Sequence, residues 1–484
     1  MIELKAISFS YENASKKRGQ LQGVDLHIKK GELIILSGKS GCGKTTLTRI
    51  LNGLCPGFYL GTLSGSYTLN GEDALKMPIH QLGTLVGSVF QDPRSQFFTT
   101  NTTDEIVLGM ENIPLERPVM QERFHAVCRQ MQIERLMDRR IFPLSSGEKQ
   151  LVAIASVCAM EPKVIVLDEP SANLDSEAMV RLSALLHRLK RLGHTIILSE
   201  HRFHYVWDSF DRLVFMENGT ISKIYDRADA LRLTAAQLTQ MGLRPFDAPA
   251  FRTGGAYRQA PDDSLQVSAI SCMLNGRRIL DEISFAAQRG RILAIAGPNG
   301  AGKSTLCRII TGLYRAMGTV QFDGELLKRK LRTRESFFVQ QDSDYQLYAP
   351  TVLDEFFLGK KETDEIKERA VSRLREMGME EFLKRHPASL SGGQKQRLLL
   401  TLAAESGKNL LVFDEPTSGL DGYNMRLTIH LLNRLAQEGR CILLITHDME
   451  LIAQAADSVL YVEGGKAQYH RNILRQAGEN DENT

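Results

Sequence analysis

The stretch LIILSGKSGCGKTTLTRIL at 33–51 decides the fold, because it joins an apolar run, a glycine-rich loop and a helical pattern. The loop fits G-x-x-x-x-G-K-[ST], in which the backbone curls until its N–H groups point at phosphate oxygens. In such a loop Lys44 neutralises the β- and γ-phosphates, and Thr45 supplies a hydroxyl to Mg²⁺. The sequence therefore predicts a phosphate site directly after a buried strand.

The chain carries this arrangement twice. GPNGAGKST at 297–305 repeats GKSGCGKTT at 38–46, and LSGGQKQ at 390–396 repeats LSSGEKQ at 144–150. In both halves 23 residues separate the first serine of the second motif from an aspartate, and 33 more separate that aspartate from a histidine. Repetition at matched spacing predicts a tandem duplication.

Both loops contribute candidate nucleotide-binding residues of the same kinds. Lys303 and Ser304 take the roles of Lys44 and Thr45 in the second half. The complete candidate set in the two loops is Gly38, Ser40, Gly41, Gly43, Lys44, Thr45 and Thr46, with Gly297, Asn299, Gly300, Gly302, Lys303, Ser304 and Thr305.

An Asp-Glu pair ends an apolar run in each half, VIVLDE and LLVFDE. After a phosphate loop, Asp168 and Asp414 are expected to hold Mg²⁺ through water. Glu169 and Glu415 are expected to polarise the attacking water.

Three further residue types complete the candidate sites. His201 and His447 end a third apolar run at matched positions, which favours a γ-phosphate sensor over a structural role. Gln91 and Gln341 follow an apolar start and are candidate ligands of Mg²⁺ or of the lytic water. Tyr11 could stack on adenine, but a surface or core tyrosine is equally compatible with its position.

Each half is expected to have an α/β fold. Short apolar runs are typical of strands buried on both faces of a parallel sheet, and helical patterns at 177–191 and 424–437 alternate with them. A charged helical region is expected at 103–140 and 352–385, and a closing helix at 228–241. The predicted boundaries are 1–241 for the first domain, 242–264 for a linker, 265–475 for the second domain and 476–484 for a disordered tail.

Composition narrows the class of protein. The 484 residues are 43% apolar and 24% charged, and 60 Lys and Arg against 57 Asp and Glu leave a charge of +3. This balance gives no reason to expect a nucleic-acid partner. No apolar run approaches the roughly 20 residues that span a bilayer, and the seven scattered cysteines favour reduced thiols in a cytosolic chain.

The pentapeptide LSGGQ, some 20 residues before the Asp-Glu run, separates this chain from other proteins with phosphate loops. With it, the motif order closely resembles that of the ATP-binding-cassette (ABC) ATPases over nearly the whole chain. The resemblance implies tandem P-loop cassettes, each a RecA-like parallel core with an antiparallel β subdomain and an inserted helical subdomain. It also implies that the halves pair head-to-tail, with ATP between one half's phosphate loop and the other half's signature, LSSGE or LSGGQ. The signature residues that would contact nucleotide are Ser145, Gly147, Ser391, Gly392, Gly393 and Gln394.

The two composite sites are predicted to be unequal. In the first signature Ser146 replaces a glycine and Glu148 replaces a glutamine. Alignment of ISFSY with ISCML puts Leu274 where Tyr11 stands, so the adenine-stacking ring is expected to be lost in the second half. We therefore expect the site that joins Lys303 to the first signature to be attenuated, and not silent.

Among ABC proteins the chain resembles the fused ATPases of energy-coupling-factor importers, which take up vitamins or transition-metal ions. VFQDPRSQFF at 89–98, VQQDSDYQLYAPTVLDE at 339–355 and SEHR at 199–202 carry this resemblance. It implies a place on the cytoplasmic face of the membrane, a transmembrane coupling protein and a small membrane substrate-binding protein. Asp104, Glu105, Asp354 and Glu355 are candidates for contacting cationic residues of the coupling protein.

Two alternatives remain. One is a soluble tandem cassette that acts on ribosomes, although those proteins usually carry a long charged helical linker, unlike the short segment 242–264. The other is the ATPase of another importer class, such as sugar uptake, in which the second cassette tends to be more degenerate than it is here.

Overall fold

The computed structural model describes residues 1–12, 20–246, 253–256, 264–274 and 276–472. Contacts divide the chain into two compact units, Met1–Asp247 with Asp421–Tyr423, and Ala248–Leu420 with Asn424–Thr484. In the described part of the chain, no helix is both long and apolar enough to cross a membrane.

The first unit contains ten described strands and nine α-helices. The strands are β1 (Ile2–Tyr11), β2 (Leu21–Ile28), β3 (Leu33–Ser37), β4 (Gly61–Leu69), β5 (Glu72–Asp73), β6 (Val86–Val89), β7 (Val164–Asp168), β8 (Thr195–Ser199), β9 (Arg212–Glu217) and β10 (Thr220–Asp226). The helices are α1 (Lys44–Leu51), α2 (Leu54–Gly57), α3 (Ile79–Leu85), α4 (Thr102–Glu111), α5 (Arg117–Met131), α6 (Ser146–Cys158), α7 (Ser176–Arg191), α8 (Arg227–Ala230) and α9 (Ala235–Met241).

The second unit repeats this order. Its described strands are β11 (Thr253–Ala256), β12 (Leu265–Leu274), β13 (Arg277–Ala287), β14 (Ile292–Ala296), β15 (Met317–Phe322), β16 (Glu325–Leu326), β17 (Ser336–Val339), β18 (Leu410–Asp414), β19 (Cys441–Ile445), β20 (Ser458–Glu463) and β21 (Lys466–Asn472). Its described helices are α10 (Lys303–Ile310), α11 (Arg329–Glu335), α12 (Asp364–Glu376), α13 (Gly392–Ala404), α14 (Gly422–Gln437) and α15 (Met449–Ala455).

Each unit combines a mainly parallel sheet with an antiparallel one. The parallel sheets have the orders β10-β9-β3-β8-β7-β6 and β11-β21-β20-β14-β19-β18-β17, and in both only the strands at one end run antiparallel. The antiparallel sheets have the orders β2-β1-β4-β5 and β13-β12-β15-β16. This confirms the predicted α/β class, with a parallel core and an antiparallel β subdomain in each half.

Strand β3 shows why the parallel core forms. Its side chains are fully buried, and alternate residues face opposite sides of the sheet. Leu33 and Ile35 pack in the cluster that contains α6 and α7, whereas Ile34 and Leu36 pack in the cluster that contains α1. Burial on both faces explains why the sequence is apolar without alternation.

The helix predicted at 228–241 is two short helices, α8 and α9. Thr234 interrupts it, because its hydroxyl accepts the amide of Gln237 while the Gln237 side chain accepts the amide of Thr234. This capping box starts a new helix inside what the pattern suggested was one.

Where the structure describes the predicted linker 242–264, its residues belong to ordered parts of the two units. Gly242 caps α9, and Leu243 and Phe246 are buried in the first unit. Further on, β11 pairs with β21 in the second unit. The other linker residues and the tail at 476–484 lie outside the described residues, so the domain boundaries stay predictions.

Candidate active site

The first phosphate loop connects β3 to α1. Gly38 has φ +152°, and a Cβ there would lie 2.1 Å from the carbonyl oxygen of Met216. Gly297 opens the second loop with φ +137°, and a Cβ there would lie 1.9 Å from the oxygen of Val462. Only glycine fits where the backbone approaches a neighbouring strand so closely.

The two loop lysines are buried and turned into their own loops. The Lys44 ammonium donates to the carbonyl oxygen of Gly38 at 2.9 Å. The Lys303 ammonium donates to Gly297 at 2.7 Å and to Pro298 at 2.8 Å. Each ammonium therefore lies inside the curl of its loop, where a phosphate would replace the carbonyl oxygens as its partner.

Asp168, at the end of β7, fits a divalent cation. Its Oδ1 is buried without a hydrogen-bond partner. Burial and the adjacent Glu169 charge raise the pKa of Asp168, and the Thr45 hydroxyl opposes that shift. In the second half burial raises the pKa of Asp414, and a hydrogen bond from Ser304 opposes it. A carboxylate beside a hydroxyl offers the hard oxygen donors that Mg²⁺ prefers.

Glu169 lies between two side chains that come from separate motifs. Gln91 Nε2 donates to Glu169 Oε2 at 2.8 Å, and His201 Nε2 lies 3.3 Å from Glu169 Oε1. Although burial works to raise the pKa of Glu169, His201 and Lys44 together bring it below its ordinary value. The carboxylate is therefore ionised at neutral pH and can accept a proton or a hydrogen bond from water.

Glu415 has a related but different environment. It accepts the Thr446 hydroxyl at 3.2 Å and the His447 amide at 3.1 Å. His447 Nε2 lies 3.7 Å from Glu415 and only 2.9 Å from Asn299 Oδ1. The second histidine thus contacts its phosphate loop more closely than its glutamate. Gln341 is exposed beyond the end of β17.

The backbone brings both glutamates to the same edge of their sheets. Glu169 has φ +46° and donates its amide to Ser199, and Glu415 has φ +51° and donates its amide to Ile445. Left-handed backbone is strained for a residue with a Cβ and clusters at functional sites. Because parallel strands end at one edge, the phosphate loop, Asp-Glu pair and histidine of each half lie together there.

Comparison with known proteins supplies the family. The family model described as "ABC transporter" matches residues 21–172 and 280–418, in both halves. The chain belongs to the ABC transporter family. As an ABC-type ATPase it converts ATP and water to ADP and phosphate, coupled to transport.

Individual relatives cover nearly the whole ABC chain. A "Putative ABC transporter ATP-binding protein" of Treponema denticola is 43% identical and covers 96% of both chains. The "Putative HMP/thiamine import ATP-binding protein YkoD" of Bacillus subtilis is 32% identical, covering 95% of this chain and 89% of its own. A structure titled "Model of ribosome-bound archaeal Pelota and ABCE1" has a TM-score of 0.68 at 18% identity, covering 98% of this chain and 80% of that one. At that identity it shows the fold alone.

The two ABC signatures begin helices α6 and α13 with the same cap. Ser145 and Glu148 form a capping box, and Ser391 and Gln394 form its counterpart. Glu148 thus takes the capping role of glutamine, and its carboxylate also lies 3.8 Å from Arg135. The sequence analysis noted only that Glu148 replaces a glutamine, and it gave no sign of these two partners.

Ser146 is likewise accommodated within its own half. Its hydroxyl donates to the carbonyl oxygen of Asn173 at 2.8 Å. At the equivalent Gly392, a Cβ would meet nothing within 4 Å. The added side chain therefore does not disturb the local fold of the signature.

Tyr11 and Leu274 each end the ten-residue strand at the same place in their halves, as the alignment predicted. The Tyr11 hydroxyl hydrogen-bonds with Thr46 at 3.0 Å and accepts from Arg49 at 3.3 Å. These bonds hold the ring beside α1, and Leu274 has no hydroxyl with which to form them. The role of Tyr11 toward adenine stays a prediction.

Two glutamines that the sequence analysis missed close the loops after Gln91 and Gln341. Gln96 accepts the Phe90 amide at 3.1 Å and donates to Ser88 at 3.2 Å. Gln346 accepts the Gln340 amide and donates to Phe338, both at 2.7 Å. The repeated Gln five residues after each candidate ligand was the available signal.

Glu105 and Glu355 do not have the role that was expected of them. Both are buried, and each carboxylate accepts two backbone amides of the preceding loop, at 2.6 to 3.0 Å. They anchor the loop and are not available to contact a partner. The motif order did not reveal this, because a side chain that binds backbone has no partner in the sequence pattern.

Proposed function

We propose that this ATPase energises a membrane importer of the energy-coupling-factor type, which takes up a vitamin or a transition-metal ion. The similarity to the Bacillus subtilis import protein, over 95% of this chain, is the observation that carries the proposal. The segments VFQDPRSQFF and SEHR support it. The partners would be a transmembrane coupling protein and a small substrate-binding membrane protein, and the chain would lie at the cytoplasmic face.

The proposed chemistry uses residues of known geometry. Lys44 and the loop amides bind the β- and γ-phosphates, and Glu169 polarises the water that attacks the γ-phosphorus as the bond to the ADP oxygen breaks. Gln91 orients Glu169 and that water, and His201 contacts the γ-phosphate. Thr45 and Asp168 would hold Mg²⁺, which neutralises phosphate charge when bound.

The second half would use Lys303, Ser304, Gln341, Asp414, Glu415 and His447 in the same way. We propose that each nucleotide is completed by the signature of the other half, as in the family that the motifs resemble. A helix that begins with Ser391, Gly392 and Gly393 presents amides and a hydroxyl to an anion. Closure on ATP and release after hydrolysis would then drive the membrane partner.

The test is affinity purification of the tagged chain from its native membranes in mild detergent, with mass spectrometry of what accompanies it. We expect a transmembrane protein together with a small hydrophobic membrane protein, and the second would identify the cargo class. Ribosomal proteins without membrane proteins would overturn the proposal, and so would a periplasmic sugar-binding system.

A further inference from the structure

The segment between the phosphate-loop helix and the next strand of the parallel sheet, β6 or β17, differs in length between the halves. Two glycines within it are nevertheless equivalent in the two halves. Gly53 and Gly312 both have positive φ; a Cβ on Gly53 would strike Leu82 of α3, and one on Gly312 would strike Arg329 of α11. Gly65 and Gly318 likewise match, each with a Cβ position within 2.6 Å of the backbone of β1 or β12. The two glycines are twelve positions apart in the first half and six in the second, so this segment is six residues longer in the first half.

The longer segment contributes Cys55, Pro56 and Phe58 to an apolar cavity in the first half, and residues of α1 and α3 also line it. The cavity has a volume of about 390 Å³ and is open to solvent, with Ile50, Cys55, Pro56, Leu75, Met77 and Leu82 among its lining residues. Phe58 and Ile79, also in the lining, are 72% and 52% exposed. An exposed apolar concavity of this size accommodates one or two large apolar side chains.

The equivalent surface of the second half is cationic. Lys328, Arg329, Lys330, Arg332 and Arg334 lie at 328–334, which includes all of α11 except its last residue, Glu335, whereas α3 contains no Lys or Arg. In the part of the chain that the structure describes, none of the five forms an ion pair with an acid, and four of them are exposed. Glu335 is the one acid at 328–335, so this surface has a net charge of +4.

Arg332 differs from the other four cations because it is partly buried. It donates from Nη1 to the carbonyl oxygen of Ile309 at 2.9 Å, while its buried Nε has no partner. Burial, followed by the charge of Arg329, lowers the pKa of Arg332. Like charges on one short helix destabilise it unless an anionic partner is present.

We infer that α11 binds an acidic segment of the membrane partner, and that the cavity beside α3 binds an apolar side chain of the same partner. This inference rests on the proposed function for the existence of that partner. Two identical cassettes would offer identical surfaces, and an asymmetric partner could then bind in either orientation. Here charge on one half and a cavity on the other fix the orientation.

A protein segment fits both surfaces better than a lipid surface does. Exposed cations beside Leu331, which is 44% exposed, would also suit anionic headgroups. A bilayer surface, however, presents no protruding group to fill the cavity beside α3. A partner with two projecting segments explains both surfaces at once.

The test places a photo-crosslinking amino acid at position 330 and, separately, at position 79 of the full chain in native membranes. Mass spectrometry identifies the crosslinked peptides. We expect a segment with net negative charge from position 330 and an apolar segment from position 79, both from one transmembrane protein. A neutral or basic segment at position 330, a phospholipid adduct, or no product at either position overturns the inference.

Charge reversal gives a second readout. We expect Lys330→Glu with Arg334→Glu to reduce co-purified membrane protein by about tenfold, and reversal of the acids in the crosslinked segment to restore it. The matched control is Arg277→Glu with Lys466→Glu, two exposed cations on other elements of this unit, which should change nothing. An unchanged thermal unfolding midpoint in both variants establishes that they fold. Equal losses from the two variants would contradict the inference.

Two further results keep the inference separate from the proposed function. If the chain binds phosphatidylglycerol vesicles but not phosphatidylcholine vesicles, and the reversal at 330 and 334 abolishes that binding, the cationic surface recognises lipid and the inference is wrong. If membrane proteins co-purify but position 330 contacts no acidic segment, the importer proposal stands and only the inference fails. If no membrane protein co-purifies, both fail.

Discussion

At the scale of single residues, the two glutamates that follow the strand aspartates differ in their neighbours. His201 Nε2 lies 3.3 Å from Glu169, whereas His447 Nε2 lies 3.7 Å from Glu415 and 2.9 Å from Asn299 Oδ1. The difference lies within each half and parallels the substitutions in the first signature. The inequality of the two composite sites stays a prediction.

We expect Glu169→Gln to lower steady-state phosphate release by roughly 100-fold, because it removes the general base from the site that we predict to be the more active one. Glu415→Gln removes the general base from the less active site, and we expect it to lower phosphate release by about threefold. The measurement is ATP turnover of the purified full chain at saturating ATP. Losses of equal size would show that the sites contribute equally.

At the scale of secondary-structure elements, a substitution at the start of the signature helix is expected to change catalysis without changing stability. Since a Cβ at Gly392 meets nothing and Ser146 already occupies the equivalent position, Gly392→Ser should leave the unfolding midpoint within about 1 °C of the parent. Turnover should still fall by roughly tenfold, because the helix start must approach phosphate closely. Calorimetry and phosphate release on the same sample test both halves of this prediction.

The reciprocal change is the control. Ser146→Gly should fold equally well and should not lower turnover. A fall in stability with Gly392→Ser would mean that the loss of activity reports unfolding, contrary to our expectation.

The pairing of Glu32 with Arg212 ties the turn before β3 to β9. Arg212 donates from Nε to Oε1 at 2.5 Å and from Nη2 to Oε2 at 2.8 Å. Burial opposes ionisation, but Arg212 and the Lys29 amide prevail and lower the pKa of Glu32. Because the folded pKa is the lower one, the stabilisation is complete above the ordinary glutamate pKa and is lost as the pH falls through the folded value.

We therefore expect Glu32→Gln to destabilise the first unit by about 2 kcal/mol at pH 7, and the gap from the parent to narrow between about pH 5 and pH 3. Thermal unfolding across that range measures it. Glu3→Gln, which removes a surface pair with Lys5, is the matched control and should show no such gap. A gap that is constant with pH would contradict the assignment.

At the scale of the whole molecule, both halves retain a complete phosphate loop. We expect the Glu169→Gln, Glu415→Gln double variant to bind two ATP per chain, since neither substitution alters the buried lysine or the glycines that shape the loop. Equilibrium dialysis with labelled ATP counts them. Addition of Lys303→Ala should reduce the number to one, and a count of one before that change would refute the prediction.

The sequence predicted the α/β fold correctly because its strong signals are local, whereas the roles of the candidate site residues stay predictions. The runs VIVLDE and TIILSE form β7 and β8, as the apolar pattern predicted. The contacts of Gln91 and His201 with Glu169 were not predicted, because each of these residues was assigned to phosphate, Mg²⁺ or water separately. The loop anchors Glu105 and Glu355 were missed, as was the cavity beside α3. Side chains that bind backbone, and cavities lined by several segments, depend on tertiary contacts that no periodicity records.

Each signature helix begins with a capping box, which Ser145 forms with Glu148 and Ser391 forms with Gln394. This equivalence bears on how such a chain evolves. Glutamate and glutamine form the same helix cap. We therefore expect a single-nucleotide change between them to affect neither folding nor recognition by cellular quality control. Only a measurement of ATP turnover or transport would reveal it. A directed-evolution screen for thermal tolerance should therefore leave position 148 to drift, while selection for transport activity should favour the return of glutamine.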